Sequence, residues 1–579
     1  MSLLSTDVRK PLETIRLGCF QLDPKNGSLT IWESDGASFL LRSDSGAYFQ
    51  AVINGRLVDT ELVSVSSEGR SVVLRYSGEW LDEMLVEITE CDEGSGVDFS
   101  CTIVPSKEVQ LNRIELFSAD TQLNVYEVVN FRNRHYTPAT WPELPTCASC
   151  ETSTYSDDWQ FSPHPTALLL RKNREALFAG LLDLQPTYGM HLKVVRGEVQ
   201  HWYLDYGDAP HGLILPAHES FHVGRMRFFV RSELSAHQMY SGFGDMLVDE
   251  KIVPAASEKV RHRWWEEPIY CTWNDQRMLA NCRSEAELVD QTVETVAGAL
   301  AQLNESMVRR AVDVILRERL PIRTILLDEG WNLARGDWQP HPERFPDLRQ
   351  LVDDLHALGF KVMVWWNWAE IAKDANIPAD ELAGGGWLNR RGFRWRDYSD
   401  PKVQQNYLKP LMRTFFSDED GCYDLDGVKT DFLADKVHPE NPLHDPSWRG
   451  EEQYFLKISQ IFYTEMRMHK ADALHLGCAG NYWLAPYIDL NRTYDVHTSN
   501  WREHEERARM LMCTCPGVPV SYDMHEFNET MAEFFASIAR MNACIEIGNV
   551  LALRDDFFSK PRPADADHWE LLRQGCALV

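Results

Sequence analysis

Long apolar runs are what this sequence most plainly lacks. No stretch approaches the roughly 18 apolar residues that a membrane span needs, and the N-terminal MSLLSTDVRKPLETIRLG holds no apolar core of signal-peptide length. Basic charge is also short, since 58 Lys and Arg stand against 87 Asp and Glu for a net charge of -29. Such a field disfavours nucleic acid and anionic membrane as partners. A disulfide framework is missing as well: the 13 cysteines are an odd number, scattered singly. These absences together predict a cytoplasmic protein with reduced thiols. The one close pair, Cys147 and Cys150 in TCASC, has no second pair or histidines at ligand spacing, so no metal site is expected there.

What is present is ordinary globular composition, 44% hydrophobic and 25% charged, over 579 residues. That length exceeds one compact core and predicts two or three domains. Two textures divide the chain. Up to about residue 240 the segments are short and extended, as in SVVLRYS (71–77), VDFSCTIV (97–104), LFAGLLDL (177–184) and MRFFVRS (226–232). Many short strands between turn signals predict an antiparallel β-sandwich, placed at residues 1–245. From about residue 260 strands alternate with amphipathic helices: IYCTW (269–273), RTILLD (323–328), KVMVWW (361–366), GVKTD (427–431), ALHLGC (473–478), TYDVHT (493–498), VPVSYD (518–523) and NVLAL (549–553). Eight such strands predict a (β/α)8 TIM barrel over residues 246–579, with a short C-terminal extension.

In such a barrel the C-terminal strand ends line the active site. Here they read Trp273-Asn274-Asp275, Asp328-Glu329-Gly330-Trp331, Trp365-Trp366-Asn367, Lys429-Thr430-Asp431, Cys478-Ala479-Gly480 and Asp495, and five of the six contain an acid or a tryptophan. Indole faces stack on sugar C–H surfaces while carboxylates accept bonds from hydroxyls, so this mouth suits a carbohydrate. Retaining cleavage of a glycosidic bond needs two carboxyl groups across the anomeric carbon. Asp431 closes a strand and Lys429 shares its face two residues earlier, which would keep Asp431 ionised. A purely structural Lys–Asp pair reads equally well from that spacing alone.

The order of motifs is more specific. PIYCTWND (268–275), LLDEGWN (326–332), GDWQPHPERFPDLRQLVDDLHALGFKVMVW (336–365), DYSDPKV (397–403) and DGVKTDF (426–432) together resemble the α-galactosidase (melibiase) clan, glycoside hydrolase families 36 and 27, especially family 36. The resemblance implies a retaining α-glycosidase needing no cofactor, with a glycoside or oligosaccharide as substrate; relatives often associate, so a homo-oligomer is open. Carried over by motif, it makes Asp431 the nucleophile, Asp328 and Glu329 the acidic pair on the distal hydroxyls, and Lys429 the lysine beside them. Trp331 and Trp365 become sugar-site tryptophans, Cys478 and Gly480 a loop close to the ring, and Arg492 with Asp495 the arginine and acid/base. Three features depart from the pattern. Glu329 stands for a second Asp, the interval from Arg492 to Asp495 is one residue short (Asp489 and Asp523 are the fallback acids), and little chain follows for the family's C-terminal β domain. The stretch around Tyr136 and Trp141 reads as a pocket wall or a surface loop. Family 31 α-glucosidases and α-xylosidases share Lys-Thr-Asp-Phe at 429–432, but HLGCAGNYW lacks their Arg-Ser or Arg-Ala element. Transglycosylation through the same covalent intermediate also fits these residues, as does a sugar-binding protein that has lost catalysis.

Overall fold

Period-two burial shapes the N-terminal half. In Gly96–Pro105 the side chains of Val97, Phe99, Cys101 and Ile103 are buried and those between them are partly exposed. One face of each strand therefore has to be covered by another sheet. A computed structural model describes residues 14–44, 49–91, 96–117, 121–124, 127–130, 139–140, 150–153, 166–170, 175–184, 186–187, 189–195, 198–255, 258–280, 293–373, 375, 377, 393–431, 443–478, 480–493, 501–525, 531–551 and 566–579. Within it, antiparallel sheets of twelve and nine strands face each other. Phe117 and Trp202 of the larger sheet pack on Phe228 of the smaller, with ring centroids 5.7 and 5.9 Å apart.

A single helix, α1 (Ala236–Asp249), follows the last sandwich strand. Its N-terminus is closed by a capping box between Ser235 and Gln238. Phe243 of α1 touches Phe178 of the sandwich at 5.0 Å and Tyr482 of the barrel at 5.4 Å. The Tyr482 hydroxyl donates to the Tyr240 carbonyl at 2.8 Å. Phe178 and Phe229 thereby join the same apolar core as the barrel helices.

The barrel closes with eight parallel strands: β1 (Ile269–Cys271), β2 (Thr324–Leu327), β3 (Lys361–Trp366), β4 (Gly427–Thr430), β5 (Leu474–Cys478), β6 (Leu490–Arg492), β7 (Val520–His525) and β8 (Cys544–Ile547). Closure comes from β8 against β1, with Ile269 opposite Glu546 and Tyr270 opposite Ile547. Strands β1, β2, β4, β5 and β8 are buried along their whole length, as the helix-covered layer requires. The helix Glu451–His469 supplies part of that cover through Phe455, Ile458, Phe462 and Met466. After β8 the C-terminal helix Ala566–Cys576 packs on the barrel through Trp569, Leu572 and Cys576.

Two expected strands are displaced. The sixth is Leu490–Arg492 rather than TYDVHT, of which 494–498 lie outside the described residues. The eighth is Cys544–Ile547 rather than NVLAL. Both true strands carry a polar side chain in their run, Asn491 and Arg492 in one and Glu546 in the other, which hides them from a search for apolar runs.

Candidate active site

Strand geometry decides which side chains reach the barrel mouth. Asp431 stands one residue past β4, its amide bonded to the Trp366 carbonyl of β3 at 3.2 Å. Both of its carboxylate oxygens are held. Oδ2 accepts from the Trp365 indole at 3.0 Å, and Oδ1 from Arg492 Nη2 at 3.3 Å and the Cys478 thiol at 3.4 Å. Its side chain is 12% exposed, whereas that of Arg492 is 1% exposed. Asp431 is therefore the reachable end of a buried assembly. The other arm of the Arg492 fork, Nη1, bonds Asp523 of β7 at 2.7 Å. One guanidinium thus bridges two carboxylates.

Lys429 does not hold Asp431. Residues two apart on a strand are offset by about 6.6 Å along it, and the Lys429 ammonium lies one layer deeper. It bonds Asp328 Oδ2 at 2.8 Å and Glu546 Oε2 at 3.4 Å. Cys271 Sγ is 3.1 Å from that same Asp328 oxygen and 3.6 Å from the ammonium. The cation in contact with Asp431 is Arg492 instead. Burial opposes the Lys429 charge and so does Arg492, yet Asp328 and its neighbours outweigh both and hold the ammonium well above its usual range. Burial drives the Cys271 and Cys478 thiols up, so each is a neutral S–H donor.

Beside this layer, Glu329 receives Arg335 on both oxygens, with Nη2 to Oε2 at 2.7 Å, and Arg335 also bonds Glu370. The Arg335 guanidinium sits 5.1 Å from the Trp365 ring. Burial pushes the Glu329 carboxyl up while Arg335 pulls it down, and the net direction is upward. Gly330 follows at φ 113°, with the Leu300 carbonyl oxygen 2.9 Å from where a Cβ would stand; only glycine fits this turn.

Of the residues singled out from sequence, Asp328, Glu329, Trp365, Lys429, Asp431, Cys478 and Arg492 converge on the mouth. Trp331 differs. It is fully buried between Trp338 and Phe415 and its indole donates to the Trp365 carbonyl at 2.8 Å, so it supports Trp365 and offers no face to a sugar. Gly480 is small because Cys515 Sγ and Ile488 Cδ1 each come within 2.8 Å of its would-be Cβ. That close approach is to the protein itself. Asp489 precedes β6 at the opposite end of the barrel, paired with Lys259 and Arg467, and is no candidate acid. Asp495, Tyr136, Trp141 and Cys147 lie outside the described residues. Arg335, Glu370, Cys271 and Glu546 escape a reading of the sequence: Arg335 sits in a loop and Glu370 in a two-residue strand, Glu370–Ile371, neither with a spacing rule, and the others look like ordinary strand residues. Two cavities, of about 380 and 420 Å³, lie elsewhere, at the seam of α1 with the sandwich and on the opposite barrel face near Lys259. Neither is lined by any residue of the Asp431 cluster.

Known proteins share this arrangement of a β-sandwich followed by an eight-stranded barrel. Residues 295–533 match the family model "Glycosyl hydrolases family 31 TIM-barrel domain". Among solved structures, the alpha-galactosidase of Lactobacillus brevis superposes with TM-score 0.60 at 13% identity, covering 98% of this chain and 82% of that one. The family 36 alpha-galactosidase AgaA of Geobacillus stearothermophilus gives 0.57 at 12% identity, covering 94% and 74%. A curated relative, the "A type blood alpha-D-galactosamine galactosaminidase" of Flavonifractor plautii, is 24% identical over 203 residues, 30% of this chain and 18% of that protein's length. The sandwich-and-barrel architecture of this chain is thus similar to that of solved alpha-galactosidases.

Proposed function

We propose that this protein is a retaining α-glycosidase that hydrolyses terminal α-linked sugars, α-galactosides foremost. The observation that carries the reading is Asp431: a partly reachable carboxylate at a strand end, fixed on both oxygens by an indole, a guanidinium and a thiol. A carboxylate so held attacks an anomeric carbon without having to reorganise. In the double displacement the Asp431–C1 bond forms as the bond to the leaving oxygen breaks, and a carboxylic acid opposite gives that oxygen its proton. Water then attacks C1, gives its proton to the same group, and frees Asp431. Asp495 is assigned that acid/base role. Asp523 is less suited to it, because it is a buried counter-ion of Arg492. The Lys429–Asp328 pair supplies a donor and an acceptor for neighbouring sugar hydroxyls, Trp365 walls the site, and no cofactor enters the chemistry.

The preference for galactosides rests on likeness. Structures of AgaA variants hold raffinose and stachyose, which points to oligosaccharides as substrates here. The family 31 model gives an α-glucosidase or α-xylosidase reading its footing, and Glu329 locked by Arg335 separates this pocket from one lined by two free carboxylates. The deciding experiment is hydrolysis of p-nitrophenyl α-galactoside, α-glucoside, α-xyloside and α-N-acetylgalactosaminide by wild type and Asp431→Asn. Release from one of them, lost in the variant, supports the proposal. Silence from folded wild type on all four overturns it.

A further inference from the structure

Glu546 is a site carboxyl that the mechanism above leaves without a task. It lies on β8 with no exposure at all, and Oε2 is 3.4 Å from Lys429 Nζ. Its other oxygen, Oε1, is buried and has no hydrogen-bond partner among the described residues. Lys429 is closer to Asp328, at 2.8 Å. Two carboxylates on different strands thus compete for one ammonium.

We propose that Glu546 is a positioning residue acting through Lys429: while protonated it leaves the ammonium to Asp328, and when ionised it draws the ammonium away, so that sugar binding weakens and the chemical step does not change. This inference rests on the reading of Asp328 and Lys429 as sugar-binding groups. The charges facing Glu546 from the packed strands support it. They are Lys429 on β4 and Arg492 on β6 in favour of ionisation, and Asp523 on β7 and Asp328 after β2 against it, with the Cys271 thiol of β1 beside Lys429. An ionised Glu546 would leave four carboxylates on two cations in a buried layer, with Oε1 unmet. Burial is the largest influence and, outweighing Lys429 and Arg492, pushes the carboxyl up to about 7. The exchange between the two states therefore falls in the neutral range. Glu546 touches no substrate in this arrangement, since Lys429 stands between it and the mouth.

The test is the pH dependence of kcat and KM between pH 5 and 9, on the glycoside the panel selects, for wild type and Glu546→Gln. We expect the wild-type KM to rise by up to about tenfold per pH unit above neutrality, with kcat unmoved by that ionisation. Glu546→Gln keeps a bond to Lys429 but cannot ionise, so its KM should stay near the acidic wild-type value throughout. A KM rise that persists in Glu546→Gln, or an ionisation that it removes from kcat, overturns the proposal. A second readout needs neither hydrolysis nor the variant's fold. In calorimetry of wild type near pH 7 in buffers of different ionisation heat, binding of galactose, glucose, xylose or N-acetylgalactosamine should take up protons, up to about half a proton per site. Binding without proton uptake, or no binding of any of the four, also overturns it. Hydrolysis failing while proton-linked binding persists would sink the glycosidase reading and spare this one.

Discussion

Both ends of the barrel hold ion-pair clusters among the described residues, and use them differently. At the N-terminal end, Asp426 before β4 accepts from His356 at 2.7 Å, Lys361 at 2.9 Å and the Val362 amide at 2.8 Å, with Lys470 at 3.4 Å. Asp489 before β6 is bonded by Arg467, Tyr463 and the His475 amide, with Lys259 at 3.1 Å. At the C-terminal end the same two strands finish in Lys429, Asp431 and Arg492. Cations are shared between carboxylates at both ends, as Lys361 also bonds Asp472 and Lys470 also bonds Asp424, but here four carboxylates fall on two cations. Glu546 there keeps an oxygen without a partner among the described residues. A closed ion-pair network keeps strands in register and asks for nothing more. An under-matched one is poised for a ligand, at some expense of stability.

The sharpest break of this comparison is Asp431→Asn. We expect kcat on the responsive p-nitrophenyl glycoside to fall by roughly four orders of magnitude, with a melting temperature equal to or slightly above wild type. A large loss of stability would place Asp431 with the bottom-end acids. The converse is Asp426→Ala, five residues earlier. It leaves the buried Val362 amide without its acceptor and takes a shared anion from the part-buried Lys361 and Lys470. Denaturant unfolding should therefore show a loss of about 2–3 kcal/mol, while kcat/KM of the folded enzyme stays within about twofold. Next in size is Arg492→Lys. A point charge cannot bridge Asp431 and Asp523 as a fork does, so kcat should drop about 10- to 100-fold. An unchanged kcat would mean that Trp365 and Cys478 suffice to hold Asp431.

The same contrast explains what could be read from sequence. Strand β3 stood out because its run is apolar up to Trp365 and Trp366, and β4 and β5 because the motifs that close them, as in GVKTD, put their functional residues last. Those ends delivered Trp365, Lys429, Asp431 and Cys478 together. Strands β6 and β8 were misplaced because β6 is three residues long with Asn491 and Arg492 both polar, and Glu546 breaks the apolar run of β8. The site's own charges concealed the strands that present them. Pairing was harder still, since residue spacing along β4 does not tell that Lys429 faces β2 and β8 while Asp431 faces β6. Arg335 folds back from a loop onto Glu329, and only its position in space identifies it.

Acid and alkali should attack the two ends separately, which gives the smallest effect and the finest test. His475 is buried near the start of β5 between Phe462, the Tyr487 carbonyl and the Thr430 hydroxyl, and burial lowers it to about 4. Asp426 lies lower still, at about 2: burial pushes it up, but His356 and the two lysines prevail. In both cases the unfolded chain takes up protons first. Stability is therefore lost as pH falls, from about 6.5 through His475 and further below about 4 through Asp426. Glu546 has the opposite sign. Its folded carboxyl is raised, so the unfolded chain releases its proton first, and stability declines as pH rises from about 4.5 to 7. Glu546→Gln removes only that alkaline decline. Its melting temperature should match wild type near pH 4.5 and exceed it by about 1–3 °C at pH 8, with the acid limb unchanged. An equal gain at both pH values would mean that Glu546 costs stability through its packing and not through its charge, and the contrast between the two ends would then rest on Asp431 and Arg492 alone.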